Sequence, residues 1–253
     1  MVNKLPQYDY IYLGDNARSP YGNRSFETVT HYTQQCVQEL FDMGCNLVVL
    51  ACNTASAKAL RSIQQNHLPI VAPDKRVLGV IRPTTEIVGN YTTTGHVGVL
   101  GTSGTVASDS YPIEILKFFP QIKVFQQACP MWVPLVENNQ FNNEGADYFI
   151  KKYLDELFKQ SSEIDTLVLG CTHYPMLLKK IKQFLPSNIK IISQDAIVAD
   201  SLKDYLSRHP EIKEACETNS IRTFYTTDDT QTFNTMAGLF FGNKVESNHI
   251  EIK

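Results

Sequence analysis

Two short stretches of the chain share a pattern that could do chemistry: an apolar run, a small residue, a cysteine, and then small polar groups. The first is VVLACNTAS at Val48–Ser56, and the second is LVLGCTHYP at Leu167–Pro175. A thiol at the start of a helix is a stronger acid than usual, because the helix dipole and the free N–H groups favour the thiolate. The pattern therefore predicts two reactive thiols, Cys52 and Cys171.

The residues that follow each cysteine could hold a substrate and move its protons. They are Asn53 and Thr54 after Cys52, and Thr172 and His173 after Cys171. Amide, hydroxyl and backbone N–H groups at a helix start can bind a carboxylate, and His173 could exchange a proton with the neighbouring thiol or with the substrate. Two such thiols on opposite sides of a carbon acid could remove a proton from one face and return one to the other.

A purely structural interpretation competes with this one for every cysteine. Cysteine is among the most buried residue types and usually packs as a small hydrophobe, and for Cys52 alone that would be the simpler explanation. Packing gives no reason, however, to follow two strand-end cysteines with polar residues. We therefore predict structural roles only for the remaining cysteines, which are Cys36, Cys45, Cys129 and Cys216.

Metal, redox and nucleotide sites are not indicated. Cys171 and His173 lack the spacing of a structural zinc site, and no second such pair exists. There is no Cys-x-x-Cys motif for dithiol chemistry. The segment GTSGT at Gly101–Thr105 is short and lacks the lysine of a phosphate-binding loop. The expectation is an activity that needs no metal and no cofactor.

The elements that must position these residues alternate between strand and helix. Short, continuously apolar runs predict strands at Tyr8–Gly14, Asn46–Ala51, His96–Gly101, Asp165–Gly170 and Ile189–Ser193. Such runs are typical of parallel strands covered on both faces. The alternation predicts an α/β fold with doubly wound parallel sheets.

Amphipathic helices are predicted between the strands. Ser25 should cap one that ends at Gly44, with its apolar face made by Phe26, Val29, Tyr32, Cys36 and Leu40. Another should follow Asn143, with Phe149, Ile150, Tyr153, Leu154 and Leu157 at helical spacing. Asp195 and Asp229 could cap two more.

The repeated cysteine turn predicts two similar α/β halves. We expect residues 1–85 with 194–253 to form the half that carries Cys52, and residues 86–193 to form the half that carries Cys171. Ligands of such sheets bind at the carboxyl ends of the strands, where both thiols lie. The two halves should therefore face each other across a cleft that contains both thiols.

The composition excludes several classes of function. The chain has 253 residues, 43% of them hydrophobic and 19% charged, which is enough to bury a sizeable core. Its net charge of −3 does not favour nucleic-acid binding. No apolar run is long enough for a membrane span, and the amino terminus lacks the apolar core of a signal peptide. Six irregularly spaced cysteines suit a reducing, cytoplasmic location.

Four motifs together carry a family resemblance. They are ACNTA, GCTHYP, GDNARSPYG at Gly14–Gly22 and ACPMWVPLVE at Ala128–Glu137. In this order and spacing, from about Tyr8 to at least Ser201, the chain closely resembles the glutamate racemases of the cofactor-independent aspartate/glutamate racemase superfamily. The histidine of GCTHYP favours the resemblance to glutamate racemases over aspartate racemases, which typically carry an acidic residue at that position.

The resemblance implies roles for individual residues. Cys52 would act on the D-glutamate face and Cys171 on the L-glutamate face, with assistance from His173. The substrate's polar groups would be held by Tyr21, Gly22, Asn53, Thr54 and Thr172, and Thr102 and Thr105 are further candidates. Asp15 and Glu137 match acidic positions of the family, although both could be ordinary surface or capping carboxylates.

The resemblance also implies a setting. The family makes D-glutamate for peptidoglycan, and hence for the cell wall and cell shape, without pyridoxal phosphate or metal. Its members often form homodimers.

The sequence differs from the family pattern at its amino terminus. Family members open with a strand that ends in an Asp-Ser-Gly turn, whose aspartate assists the first cysteine, and MVNKLPQYDYIYLGDN does not match it. Two functions therefore stay open: an active glutamate racemase, or a catalytically impaired racemase-fold binding protein.

Overall fold

The computed structural model describes residues 1–252. Packing divides them into two compact units, each made of segments that are separate in the sequence. The first unit comprises Met1–Leu50, Ala59–Leu78 and the chain from Ala199 onward. The second comprises Ala51–Lys58 and Gly79–Val198. Both Cys52 and Cys171 therefore lie in the second unit.

Nine strands are formed by the described residues. They are β1 (Tyr10–Gly14), β2 (Leu47–Leu50), β3 (Arg76–Gly79), β4 (His96–Gly101), β5 (Lys123–Ala128), β6 (Thr166–Gly170), β7 (Lys190–Ile192), β8 (Arg222–Thr226) and β9 (Ser247–His249). Each predicted strand is present, with bounds that differ by at most two residues at either end. The runs at β3, β5, β8 and β9 extend the set.

Thirteen α-helical segments connect the strands in the described chain. They are α1 (Phe26–Asp42), α2 (Asn53–Lys58), α3 (Leu60–Ser62), α4 (Leu68–Val71), α5 (Ile81–Thr85), α6 (Ser103–Ala107), α7 (Ser110–Phe118), α8 (Trp132–Glu137), α9 (Glu144–Gln160), α10 (Leu178–Gln183), α11 (Gln194–Arg208), α12 (Pro210–Glu214) and α13 (Thr230–Phe241). A π-helical stretch, Ile63–His67, joins α3 to α4.

The sheet of the second unit has the strand order β5-β4-β6-β7, and all of its pairings are parallel. Every residue of β4 and β6 is buried, as expected for apolar strands covered on both faces. One core layer packs around Trp132, Ile150 and Leu157, and the other around Val99, Tyr111 and Ile115. The predicted α/β class with parallel sheets is confirmed.

The first unit contains two smaller sheets. One has the order β1-β8-β9 with parallel pairings, and β2 and β3 form the other. The register of β1 with β8 runs from Tyr10 opposite Arg222 to Gly14 opposite Thr226. The carboxyl-terminal part of the chain thus completes a sheet that its amino-terminal part begins.

Helix α1 begins and ends where the sequence predicts, but its buried face differs from the predicted one. The Ser25 hydroxyl accepts a hydrogen bond from the Thr28 N–H at 3.1 Å, and Gly44 takes the left-handed conformation with φ of 93°. The buried residues are Val29, Thr33, Val37 and Phe41. The prediction is wrong for Phe26, which is exposed, because neighbouring elements, and not apolar spacing alone, choose the face.

The other predicted caps have mixed outcomes. The Asn143 side chain accepts from the Ala146 N–H at 2.9 Å and caps α9, and the Asp229 carboxylate accepts from the Thr232 N–H at 2.7 Å and caps α13. The cap predicted at Asp195 is wrong, because α11 already begins at Gln194 and Asp195 lies in its first turn.

The units differ from the predicted halves at residues 51–58, 79–85 and 194–198, all of which belong to the second unit. Residues 51–58, including Cys52, belong to the second unit because α2 packs against α5 and α6. The division into 1–85 with 194–253 and 86–193 stays a prediction about domains.

Candidate active site

The Cys52 turn leads from β2 into α2. The Cys52 carbonyl accepts the first helical hydrogen bond from the Ser56 N–H at 2.9 Å, so the cysteine occupies the position that caps a helix. The residue as a whole is exposed. Loss of water around its sulfur nevertheless raises the pKa of the thiol above its ordinary value. Hydrogen bonds from the Ala55 and Thr54 N–H groups and the Thr54 hydroxyl lower that pKa. Groups that stabilise a thiolate therefore surround this sulfur.

The Cys171 turn follows β6 and is buried. Burial raises the pKa of the Cys171 thiol to about 12, against hydrogen bonds from the His173 and Tyr174 N–H groups that lower it. The sulfur lies 3.7 Å from Nδ1 of His173. A thiol that is this weak an acid needs a neighbouring base to lose its proton.

His173 connects this thiol to an acidic side chain. Its Nε2 lies 3.2 Å from Oε1 of Glu137, at the end of α8. Helix α8 is anchored by Trp132, which is fully buried and packs edge to face on Tyr174 with ring centroids 4.7 Å apart. Cys171, His173 and Glu137 therefore form a hydrogen-bonding chain that fixes the orientation of the imidazole ring.

The two thiols interact with each other. A negative charge on Cys52 raises the pKa of Cys171, so the sulfurs lie within electrostatic reach. In such a pair, ionising one group makes it harder to ionise the other. Because the pKa of each thiol is raised above its ordinary value, both are protonated at neutral pH, and once one ionises the other stays a thiol that can donate a proton.

Three buried threonine hydroxyls lie next to the Cys52 turn. The Thr54 hydroxyl is 2.9 Å from that of Thr102 and 3.4 Å from that of Thr105, and the latter two are 3.1 Å apart. Thr102 also caps α6 by accepting from the Thr105 N–H at 3.2 Å. The structure thus brings Thr54 together with the two threonines of GTSGT. Thr172 is exposed in the Cys171 turn.

Asn53 links the Cys52 turn to two distant side chains. It is buried and bonds to Tyr111 and Gln194. Neither partner is evident from the sequence, since they lie 58 and 141 positions away and neither belongs to a local motif. The polar start of α11 was the only signal near Gln194.

The remaining candidates, Asp15, Tyr21 and Gly22, lie in the first unit. The Tyr21 hydroxyl donates a hydrogen bond to the Asp15 carboxylate. Nε of Arg18 donates to both oxygens of Asp15 at 2.9 and 2.8 Å, and the Thr227 hydroxyl donates at 3.0 Å. Asp15 and Tyr21 are thus brought together, and Gly22 follows in the same turn.

The remaining predictions from the sequence concern the other cysteines, metal binding and membrane spans. All six cysteines are free thiols, and Cys129 is fully buried. Residues 1–252 contain no cluster of three or more His, Cys, Asp or Glu side chains that could hold a metal ion. In the same part of the chain, no helix has both the length and the hydropathy to cross a bilayer. Activity without metal or cofactor stays a prediction.

Known proteins resemble the chain over nearly its whole length. The Asp/Glu/hydantoin racemase family matches residues 2–201. A glutamate racemase of Bacillus cereus is 37% identical over 247 residues, covering 98% of this chain and 88% of that protein. A glutamate racemase of Sulfurihydrogenibium is 36% identical over 249 residues, covering 98% and 89%.

Solved structures show the same relationship in the fold. A crystal structure of a glutamate racemase isoform from Bacillus anthracis has a TM-score of 0.88 at 32% identity and covers 99% of this chain and 91% of its own. One from Francisella tularensis, in complex with D-glutamate, has a TM-score of 0.87 at 28% identity, with coverages of 100% and 91%. The chain therefore belongs to the Asp/Glu/hydantoin racemase family and is an isomerase.

Proposed function

We propose that the chain is a glutamate racemase that interconverts L- and D-glutamate with Cys52 and Cys171. One observation carries the proposal: the two thiols are coupled electrostatically, and each follows a strand of the repeated motif. A pair in which ionising one thiol keeps the other protonated is what proton removal and return at a single carbon requires.

The reaction needs only proton transfers. The thiolate on one face takes the α-proton of glutamate and becomes a thiol, and the electron pair stays on the α-carbon and its carboxylate. The thiol on the opposite face then gives its proton to that carbon and becomes a thiolate. Two bases are needed, because a single base would tend to return the proton to the face it left. The reacting atoms must approach to roughly 3–3.5 Å.

The two thiols have different helpers in this proposal. Cys52 takes the α-proton from D-glutamate, and the N–H groups and the Thr54 hydroxyl stabilise its thiolate. Cys171 takes the proton from L-glutamate, and His173, held by Glu137, acts as its base.

The other candidates would bind the substrate. Asn53, Thr54 and Thr172 supply N–H and hydroxyl groups for its carboxylates and ammonium group, with Thr102 and Thr105 behind them. Tyr21, Gly22 and Asp15 stay candidate substrate-binding residues, and the Asp15 carboxylate accepts a hydrogen bond from the Tyr21 hydroxyl.

Relatives and structural neighbours support glutamate as the substrate. Those described above are named glutamate racemases, and one structure holds D-glutamate. Such similarity does not favour the alternative of an impaired binding protein. The proposal extends to a cytoplasmic enzyme that supplies D-glutamate for peptidoglycan and uses no cofactor. A homodimer stays a prediction.

The test is racemisation by the purified, metal-free chain. L-glutamate should lose its optical rotation without added cofactor, and its α-proton should be replaced by deuterium in D₂O. L-aspartate under the same conditions is the control substrate and should react far more slowly. A folded Cys52→Ala/Cys171→Ala double variant should lose at least about 10³-fold in rate. A folded wild-type chain that leaves glutamate unchanged would overturn the proposal.

A further inference from the structure

A buried hydrogen-bonded chain runs behind the Cys52 turn and begins at Gln194, the first residue of α11. Gln194 is only 8% exposed. Its Nε2 donates to the Val80 carbonyl at 2.8 Å and to the Thr84 hydroxyl at 3.2 Å. Because a backbone carbonyl can only accept a hydrogen bond, the NH₂ end of Gln194 must face Val80.

That constraint passes to Asn53. With its NH₂ end facing Val80, Gln194 presents Oε1 to Asn53 and accepts a hydrogen bond from Asn53 Nδ2 at 2.8 Å. The opposite Asn53 orientation would place two amide oxygens against each other in a buried site, which is costly. The Asn53 amide therefore has one allowed orientation.

Tyr111 closes the chain at its other end. Its hydroxyl donates to Asn53 Oδ1 at 2.8 Å. Tyr111 is fully buried, and both burial and the neighbouring Cys171 raise the pKa of its phenol. The hydroxyl thus stays protonated and remains a donor even when Cys171 is charged.

Tyr111 also touches the second cysteine turn. A Cβ atom added at Gly170, directly before Cys171, would lie 3.0 Å from Cε2 of the Tyr111 ring and 3.3 Å from its hydroxyl oxygen. The same phenol therefore supports Asn53 beside one thiol and the backbone beside the other.

We infer that Gln194 and Tyr111 are positioning residues that hold the Asn53 amide so that its second N–H points to the substrate. The Asn53 amide has two hydrogens, and the bond to Gln194 uses one. The other is a neutral donor suited to a carboxylate oxygen of glutamate. This inference rests on the proposed function, since it assigns the chain's purpose to substrate binding.

The test separates orientation from stability. Gln194→Met removes the acceptor for Asn53 and lets the amide rotate, so KM for glutamate should rise about tenfold with kcat within about threefold. Gln194→Glu keeps an acceptor oxygen toward Asn53, whether or not it is protonated, so KM should stay within about twofold of wild type. Its buried carboxyl group should nevertheless lower the melting temperature more than methionine does. A merely structural role would move KM and melting temperature together.

Tyr111→Phe provides a second route to the same amide. It removes the donor to Asn53 Oδ1 and the hydroxyl that also hydrogen-bonds the Gln194 side chain, and KM should rise about fivefold. In an Asn53→Ala background, Gln194→Met should change KM by less than about twofold, because the group it positions is already absent.

Two matched controls make comparable bonds elsewhere in the chain. Gln64 Nε2 donates to the Val77 carbonyl at 2.7 Å, and the Tyr10 hydroxyl donates to the Leu5 carbonyl at 3.0 Å. Gln64→Met and Tyr10→Phe should leave KM unchanged.

Two kinetic results would overturn the inference while the proposed racemase stands: an active Gln194→Met variant with wild-type KM, or a full effect of Gln194→Met in the Asn53→Ala background. The orientation itself can be measured without activity, from hydrogen exchange of the Asn53 side-chain amide by NMR. That exchange should be slow in wild type and faster in Gln194→Met. Equal exchange would also overturn the inference, whereas slow exchange in an inactive wild-type chain would count against the proposed function alone.

Discussion

The two cysteine turns are nearly alike in sequence but differ in their surroundings. Cys52 is exposed, and its hydrogen-bonding neighbours are N–H groups and the Thr54 hydroxyl. Cys171 is buried, lies 3.7 Å from the His173 ring, and is linked through it to Glu137. The difference indicates that the turns stabilise charge in different ways: the first by fixed dipoles, and the second by a titratable side chain.

The need for that side chain follows from the acidity of Cys171. With a pKa of about 12, Cys171 would be ionised in only about one molecule in 10⁵ at pH 7. A base that accepts the proton during the reaction removes this penalty. The comparison therefore makes His173 more important for one half-reaction than for the other.

Replacement of His173 should give the largest and most unequal effect. His173→Asn keeps a polar side chain but cannot accept a proton, so proton removal from L-glutamate should slow by about 10²-fold. Removal from D-glutamate should change by less than about threefold. The rates can be separated with 3-chloroglutamate, whose chloride leaves once the α-proton has been removed, so that no second proton transfer is required.

Glu137→Gln is the graded companion to this variant. It preserves size and a hydrogen-bond acceptor but loses the charge, and the L-face rate should fall about tenfold. Equal slowing of both enantiomers by His173→Asn would show that the histidine serves the whole site and would remove the contrast between the turns.

Asp165, just before the opposite end of β6 from Cys171, should affect stability without affecting chemistry. Its carboxylate accepts hydrogen bonds from the Thr92 hydroxyl at 2.6 Å, the Thr93 N–H and hydroxyl at 2.7 and 2.8 Å, and the Thr94 N–H at 3.0 Å. Although burial alone would raise the pKa of Asp165, these bonds lower it well below its ordinary value. Asp165→Asn should reduce the free energy of unfolding at pH 7 by about 2 kcal/mol, with racemisation unchanged.

The pH dependence checks the sign of this effect. Because the folded-state pKa is lowered, the stabilisation is present above the unfolded pKa of about 4 and is lost as pH falls. Urea titrations of wild type and Asp165→Asn should therefore converge below pH 4. The control is Asp155→Asn, which breaks an exposed pair with Lys151 and should cost less than about 0.5 kcal/mol. A constant difference between wild type and Asp165→Asn at all pH values would contradict the role assigned to its charge.

Cys129 should show the smallest effect, because it is a thiol outside the reacting pair. It is fully buried, and Tyr174 bonds its backbone carbonyl, at 3.3 Å, and not its sulfur. Cys129→Ala should cost about 1 kcal/mol of stability through lost packing and leave the racemisation rate within about twofold. Complete loss of activity in a folded Cys129→Ala protein would mean that the wrong thiols have been paired.

Local patterns in the sequence predicted much of the fold. Strand β4 has the predicted bounds, and Ser25, Asn143 and Asp229 cap helices as expected, because these features depend on residues within one turn or one strand. The buried face of α1 could not be read in the same way. Thr33 is buried there with its hydroxyl bonded to the Val29 carbonyl at 2.6 Å, so the backbone satisfies a polar group that spacing rules place outside.

The residues of the candidate site also differ in whether a local sequence pattern predicts them. Its cysteines and His173 could be found because they recur in short motifs. The chain of Tyr111, Asn53 and Gln194 could not, since it joins three distant segments through hydrogen bonds that exist only after folding. Which unit would hold Cys52 was likewise decided by the packing of α2.

The most direct test of the two-thiol proposal is elimination of chloride from each enantiomer of 3-chloroglutamate by the Cys52→Ser and Cys171→Ser variants. A serine hydroxyl is a far weaker acid than a thiol, so each variant should lose the proton removal that its missing thiol performs. Cys52→Ser should still eliminate chloride from the L-enantiomer, and Cys171→Ser from the D-enantiomer, while neither racemises glutamate at an appreciable rate. Equal impairment of both variants toward both enantiomers would contradict the assignment of one thiol to each face.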